Sequence, residues 1–111
     1  MRSFAALPAV ILAAGILGGT VRAEDMPTFR IEMKDGTINP VRLSVPANRP
    51  FKLDIDNQGD TPAEFESLTL HKEKVLPAKT ASSMVIRRLE PGEYDFFDDF
   101  HPGSKAVLVA E

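Results

Sequence analysis

Carboxylates and one histidine in the second half of the chain are the residues best suited to chemistry. The candidates are Glu64, Glu66, Asp98, Asp99 and His101. On a strand, residues two apart share one face, so Glu64 and Glu66 would point together while Phe65 points away. Several carboxylates with one imidazole form a hard to borderline ligand set, which suits Fe²⁺, Fe³⁺, Mn²⁺ or Cu²⁺ but not Cu⁺. Such carboxylates would raise one another's pKa, and a bound metal would relieve the repulsion.

Each of these residues also has an interpretation that involves no metal. Asp98 and Asp99 could be solvated acids of a loop. Glu64 and Glu66 could form the outward face of an antiparallel strand, where alternating polar residues are usual. His101 could hydrogen-bond a loop carbonyl. Whether these groups are ligands or surface groups depends on how the fold brings them together.

Two further residues are weaker candidates for metal binding. Glu73 is one of them, in a charged patch of the chain. Met33 is the other: it follows Phe29 and Ile31 at the apolar positions of an alternating pattern. Packing in the core is therefore its leading interpretation, and a thioether ligand is the alternative. His71 is interpreted as a surface histidine.

The composition excludes several kinds of site. The chain contains no cysteine, so it has no thiolate zinc site, no iron–sulfur cluster and no thiol nucleophile. The sequence shows neither a Ser-His-Asp spacing nor the strand–turn–helix context of a hydrolase nucleophile. A conventional hydrolase is therefore disfavoured.

The elements that must position these residues are short strands. Phe29, Ile31 and Met33 alternate with charged residues, which is the period of a half-buried strand, and Asp35-Gly36 is a hairpin-type turn. Turn signals recur after each apolar stretch, and no helical period is sustained beyond residue 24. Residues 71–74 could be loop, strand or one helical turn. We predict an all-β, Greek-key sandwich of about seven to eight short strands.

The segment from Tyr94 to Ala106 resembles the C-terminal metal loop of cupredoxins. In that comparison Asp98 occupies the cysteine position, His101 keeps the histidine position, and no methionine follows where Lys105 or Ala106 stands. A blue copper site needs the thiolate, so this chain cannot form one. Phe96, Phe97 and Phe100 are expected to pack around the loop and to exclude water from a nearby metal.

With these replacements the chain is more similar to the cupredoxin-like domains of the EfeO type, found in bacterial iron-uptake systems. The matching stretches are Ala63–Glu66, Glu73-Lys74, Leu89–Tyr94 and Asp98–His101. The resemblance implies a periplasmic protein that handles iron, copper or both, with manganese as a secondary occupant. It also implies two partners, a membrane iron permease and a periplasmic copper- or iron-binding protein.

Two functional classes remain open at this point. In the first, Asp98, His101 and at least one of Glu64 and Glu66 form a single metal site at one end of the sandwich. The protein would then deliver iron or assist the oxidation of Fe²⁺, but not as an enzyme by itself, because one carboxylate site cannot store the electrons. In the second, the domain binds no metal and docks on a protein partner.

The first 23 residues predict export. Arg2 precedes an apolar stretch over residues 4–17, and Val21-Arg22-Ala23 matches a signal-peptidase site. An uncleaved membrane anchor is the alternative. Cleavage near Ala23 leaves one domain, residues 24–111, with 11 basic and 16 acidic side chains. Nucleic acid is an unfavourable partner for so acidic a domain, since binding it requires a basic face.

Overall fold

A chain of nine strands is seen in the computed structural model, which describes residues 26–111; the predicted signal peptide lies outside that range. The strands are β1 Thr28–Lys34, β2 Thr37–Asn39, β3 Arg42–Val45, β4 Phe51–Asn57, β5 Ala63–Ser67, β6 Lys72–Leu76, β7 Thr80–Ile86, β8 Gly92–Asp98 and β9 Ala106–Ala110. In residues 26–111 there is no helix of the length and hydropathy needed to cross a membrane.

The strands form two sheets that pack face to face. One sheet has the order β2-β1-β4-β7 and the other the order β3-β9-β8-β5-β6. The pairs β1–β4 and β3–β9 are parallel, and the remaining pairs are antiparallel. The predicted all-β sandwich is therefore confirmed.

Alternation along the strands builds the core between the sheets. In β4, Phe51, Leu53 and Ile55 are buried while the residues between them are partly exposed. Phe65 and Phe96 stack across β5 and β8 with ring centroids 5.1 Å apart. Burying a side chain of this size stabilises the fold by about 1.5–3 kcal/mol, which matters in a domain without a disulfide. Met33 is fully buried in this core, in agreement with the packing interpretation.

The structure has nine strands, where about seven to eight were predicted, and two of the nine lack a clear apolar pattern. The first is β2, the return strand of the Asp35-Gly36 hairpin. The second is β6, which shows why residues 71–74 were ambiguous: it is an edge strand whose first four residues are all exposed. Its pairing with β5 depends on main-chain hydrogen bonds, and charged side chains are typical of such an edge.

The register between β5 and β8 positions the candidate residues. These strands pair at two places, Phe65 with Asp98 and Glu66 with Phe97, while the other edge of β8 pairs with β9. Side chains of directly paired residues lie on the same face of a sheet. Asp98 therefore points inward with Phe65, whereas Glu66 lies on the outer face with Phe97.

Candidate functional site

The candidate residues divide between the two faces of one sheet. Asp98 is 1% exposed and points into the sandwich, and Asp99 follows it on the opposite face. Glu64 and Glu66 lie on the outer face, as their spacing predicts, while Phe65 is in the core. The structure thus separates Asp98 and His101 from the two glutamates and does not form the predicted single site. The reason is the period of two along a strand, which sends adjacent residues to opposite faces.

Asp98 is the centre of an inward-facing network of hydrogen bonds. Its Oδ1 accepts the backbone N–H groups of Glu64 and Phe100 at 2.9 and 3.0 Å. Its Oδ2 lies 2.7 Å from Nδ1 of His101. The carboxylate therefore joins β5, β8 and the following loop, and both of its oxygens are engaged.

The network continues through His101 to the β1–β2 turn. Nε2 of His101 lies 3.1 Å from Oγ1 of Thr61, and the Thr61 hydroxyl donates to Asp35 Oδ1 at 2.7 Å. That hydrogen bond is the main cause that holds the pKa of Asp35 below its usual range, followed by the backbone N–H groups of Thr61 and Asp60. Burial opposes the shift. Asp35 and Thr61 belong to this hydrogen-bond network but were not predicted from the sequence. The Asp35-Gly36 turn was the one feature that pointed to this region.

This network does not fit the copper ion that the loop pattern would suggest. Both ring nitrogens of His101 and both carboxylate oxygens of Asp98 already have protein partners. The chain also supplies no thiolate, which is the ligand that defines blue copper. The loop end of the sandwich is therefore stabilised by hydrogen bonds between side chains and backbone.

The second group of residues is an acidic cluster on the outer face, formed by Glu64, Glu66, Glu73 and Asp99. One carboxylate oxygen from each of Glu64, Glu66 and Asp99 lies within 4.8 Å of the others. Glu73 stands opposite Glu66 in the β5–β6 register, and the proximity of its carboxyl group raises the pKa of Glu64. Glu73, the weaker candidate from sequence, thus joins the cluster because β6 is a strand.

The electrostatics of the acidic cluster are unfavourable as it stands. Glu64 is only 9% exposed. Burial raises its pKa, and so do the hydrogen bond with Glu73 and repulsion from Glu73, Glu66 and Asp99. Burial, then Asp99 and Glu73, likewise raise the pKa of Glu66.

No ion pair offsets this repulsion among residues 26–111, where no Lys or Arg pairs with any of the four acids. Carboxylates held this close repel one another, and a nearby positive charge would favour their charged form. The acidic cluster is therefore a candidate site for a cation.

A groove of about 530 Å³ adjoins the acidic cluster. Asp99 belongs to both, and Leu68, Phe97 and Lys105 are among the residues that line the groove. Phe97 is partly buried, but Phe100 is 47% exposed, so the expectation that it packs under the loop is wrong. The physical reason is that Phe100 lies in the turn just beyond the end of β8. His71 is exposed in a turn, as expected of a surface histidine.

Comparisons with known proteins agree with the fold. The model of the family described as a cupredoxin-like domain matches residues 6–110. An uncharacterised protein of Rickettsia prowazekii (strain Madrid E) is 38% identical over 72 residues, or 65% of this chain. The match spans 58% of that protein's own length.

Solved structures with the same architecture are more distant in sequence. A reduced auracyanin of Roseiflexus castenholzii has a TM-score of 0.64 at 12% identity and covers 76% of this chain and 96% of its own. Amicyanin of Paracoccus versutus has a TM-score of 0.60 at 16% identity, with coverage of 82% and 90%. Identities this low show the fold alone. Together with the family match, they place the chain in the family of cupredoxin-like domains.

Proposed function

We propose that this protein is an exported metal-binding component of a bacterial iron-uptake system of the EfeO type. The proposed site is the acidic cluster on the outer face, and iron is its proposed occupant. The observation that carries the proposal is the meeting of four acids on one face. Carboxylate oxygens of Glu64, Glu66 and Asp99 lie within 4.8 Å of one another, and Glu73 stands opposite Glu66. No Lys or Arg of residues 26–111 forms an ion pair with any of the four.

A metal cation would account for this arrangement. Carboxylates held this close repel one another and raise one another's pKa, and a cation between them would remove that repulsion. Four carboxylates also supply only oxygen ligands, which suit hard cations. Fe³⁺ and Fe²⁺ fit this set, and Mn²⁺ and Cu²⁺ are the competitors to be tested against them.

The proposed role is to hold or deliver iron in the periplasm. One cluster of carboxylates has no second redox centre to receive electrons, so any oxidation of Fe²⁺ would be shared with another protein. A periplasmic copper- or iron-binding protein and a membrane iron permease are the partners that the resemblance to iron-uptake domains suggests. Ala23 as the cleavage point makes the exported form begin at Glu24.

The test is metal binding by the protein purified from the periplasm. Calorimetric titration and thermal unfolding would be run with Mn²⁺, Cu²⁺ and Fe³⁺, the last supplied as a weak citrate complex. A metal that binds only the native state adds about 2.7 kcal/mol of stability at a hundredfold excess over its Kd. We expect Glu64→Gln and Glu66→Gln to lose most of that gain while remaining folded.

Glu90→Gln is the matched control for these variants. Glu90 is an acid outside the acidic cluster, in the segment before β8, so its substitution should leave the metal-induced stabilisation intact. No stabilisation of the wild type by any of the metals would overturn the proposal, and so would full stabilisation of both glutamine variants.

The second candidate function is a metal-free docking domain. It is favoured by three exposed apolar side chains on the β5–β6 side and in the β8–β9 loop: Leu68 at 67%, Val75 at 52% and Phe100 at 47% exposure. Leu68 also lines the groove of about 530 Å³, and an apolar side chain exposed there could contact a protein partner. If metals give no stabilisation, we expect Leu68→Ser with Phe100→Ser to weaken association with the membrane permease in pull-down experiments.

A further inference from the structure

A second cavity opens on the side of the sandwich where β6 and β7 form the edges of the two sheets. Its volume is about 220 Å³. Its lining includes the apolar residues Leu70, Ile86 and Leu89 and the cationic residues Lys72, Arg87 and Arg88. We call this feature the basic groove. Ile86 is a buried core residue, while Leu70 and Leu89 pack against the core and stay partly accessible.

The cations of the basic groove are not neutralised within the described chain. Over residues 26–111, Lys72, Arg87 and Arg88 take part in no ion pair, whereas Arg30 and Arg42 are both paired with acids. Like charges collected around a partly apolar groove repel one another, and a bound anion would relieve the repulsion.

The groove has a fixed wall and a small volume. The hydroxyl of Tyr94 donates to the Glu90 carbonyl at 2.7 Å, which holds the ring of Tyr94 against the groove. A volume of about 220 Å³ is below the range of about 300–1,000 Å³ that is usual for drug-sized ligands. The occupant must therefore be compact.

We infer that the basic groove binds a compact organic anion, with its apolar body against the apolar lining and its oxyanion head between the cations. The guanidinium groups of Arg87 and Arg88 suit a carboxylate or a phosphate, since the planar fork of an arginine can pair with two oxygens. The site is independent of the acidic cluster. Lys72 and Glu73 are neighbours on β6, but adjacent strand residues point to opposite faces.

Three probes of similar size test the inference on the exported protein: 3-phenylpropionate, phenyl phosphate and the neutral 3-phenylpropionamide. Binding would be followed by calorimetry and by NMR chemical shifts of residues around the groove. We expect the two anions to bind, the amide not to bind, and the affinity to fall as salt rises. Whichever anion binds more tightly identifies the head group that the site prefers.

The variant Arg87→Ser with Arg88→Ser should weaken anion binding by about tenfold or more, because hydrogen bonds to charged groups contribute about 1.5–3 kcal/mol. The control Lys34→Ser with Lys105→Ser removes the same charge from positions that do not line the groove, and it should bind the anions normally. Melting curves establish that both variants are folded.

Several outcomes would overturn the inference: equal binding of the amide and the acids, unchanged binding by the double-arginine variant, or no shift with any probe at millimolar concentration. The metal titrations should be unaffected by the arginine substitutions, so the proposed iron site is tested separately.

Discussion

At the scale of single residues, the carboxylate of Asp98 determines what holds the loop end of the sandwich together. The loop pattern predicts that Asp98 takes the cysteine position of cupredoxins, and in the structure its two oxygens accept two backbone N–H groups and meet one imidazole nitrogen. A carboxylate can accept several hydrogen bonds at once. Asp98 thus holds β5, β8 and the loop together.

Substitution of Asp98 separates this structural role from metal binding. Asp98→Ala leaves buried donors without an acceptor, at about 1–3 kcal/mol each, so we expect a loss of about 2–4 kcal/mol in the free energy of unfolding. Asp98→Asn keeps one acceptor oxygen and should be milder. Urea denaturation measures both changes.

The metal titration of the same variants shows whether Asp98 has only this structural role or is also a metal ligand. Asp98→Asn should keep most of the metal-induced stabilisation, because Asp98 faces away from the acidic cluster, while Glu66→Gln loses it. Loss of metal binding in Asp98→Asn at full stability would show that Asp98 is a ligand after all.

At the scale of elements, the sequence predicts the position of a side chain correctly where that position depends on the pattern of a single strand. The spacing of Glu64 and Glu66 predicts their shared face, and the structure confirms it. The same period of two would have placed Asp98 and Asp99 on opposite faces, once β8 was taken to continue through Asp98. The contribution of Glu73 depends on pairing between strands. The link from His101 to Thr61 joins residues 40 positions apart, and no local pattern indicates such a contact.

The turn between β4 and β5 packs tightly on the β1–β2 turn. A substitution there tests whether the two turns depend on each other. A Cβ atom at Gly59 would lie 2.7 Å from the backbone nitrogen of Asp35 and 2.7 Å from its Oδ1. We expect Gly59→Ala to destabilise the domain by about 1–3 kcal/mol, the usual range for overpacking. It should also loosen the contact between Asp35 and Thr61.

The comparison variant is Gly103→Ala, where nothing lies within 4 Å of the added carbon. Its cost comes only from the positive φ of 99°, at about 1–2 kcal/mol. NMR spectra separate the two cases. Gly59→Ala should shift the signals of Asp35, Thr61 and His101, and Gly103→Ala should change its own loop only. If Gly59→Ala leaves the signals of Asp35, Thr61 and His101 unshifted, the two turns do not depend on each other.

At the scale of the whole molecule, the sandwich could be predicted because alternation and turn signals recur along the entire domain. The placement of charge could not, since it depends on which strands become neighbours. The acidic cluster lies on the outer face of β5 and β6, and the basic groove lies on the side of the sandwich between β6 and β7. A domain with about five excess negative charges after removal of residues 1–23 thus presents surfaces of both signs.

The acidic cluster should also set the pH dependence of stability in metal-free protein. Glu64 and Glu66 have ordinary pKa values of 4.5, which folding raises. In the pH range between the unfolded and folded values, the native state binds more protons than the unfolded state. Stability should therefore be greatest below that range and should decrease as the pH rises through it. A saturating metal should reverse this trend, because its ligands must be deprotonated.

Urea denaturation between about pH 2.5 and pH 8, with a chelator present, measures this dependence. Glu64→Gln should flatten the profile and make the metal-free protein more stable at neutral pH, since it removes a charge that burial and three other acids disfavour. Asp35→Asn should instead make the protein less stable at neutral pH. The pKa of Asp35 is lowered on folding from 3.8, so the stability it contributes is present above that value and is lost as the pH falls below it. If Glu64→Gln instead lowers stability at neutral pH, the Glu64 carboxylate is stabilised in the folded protein without a metal, and the case for a cation on the outer face fails.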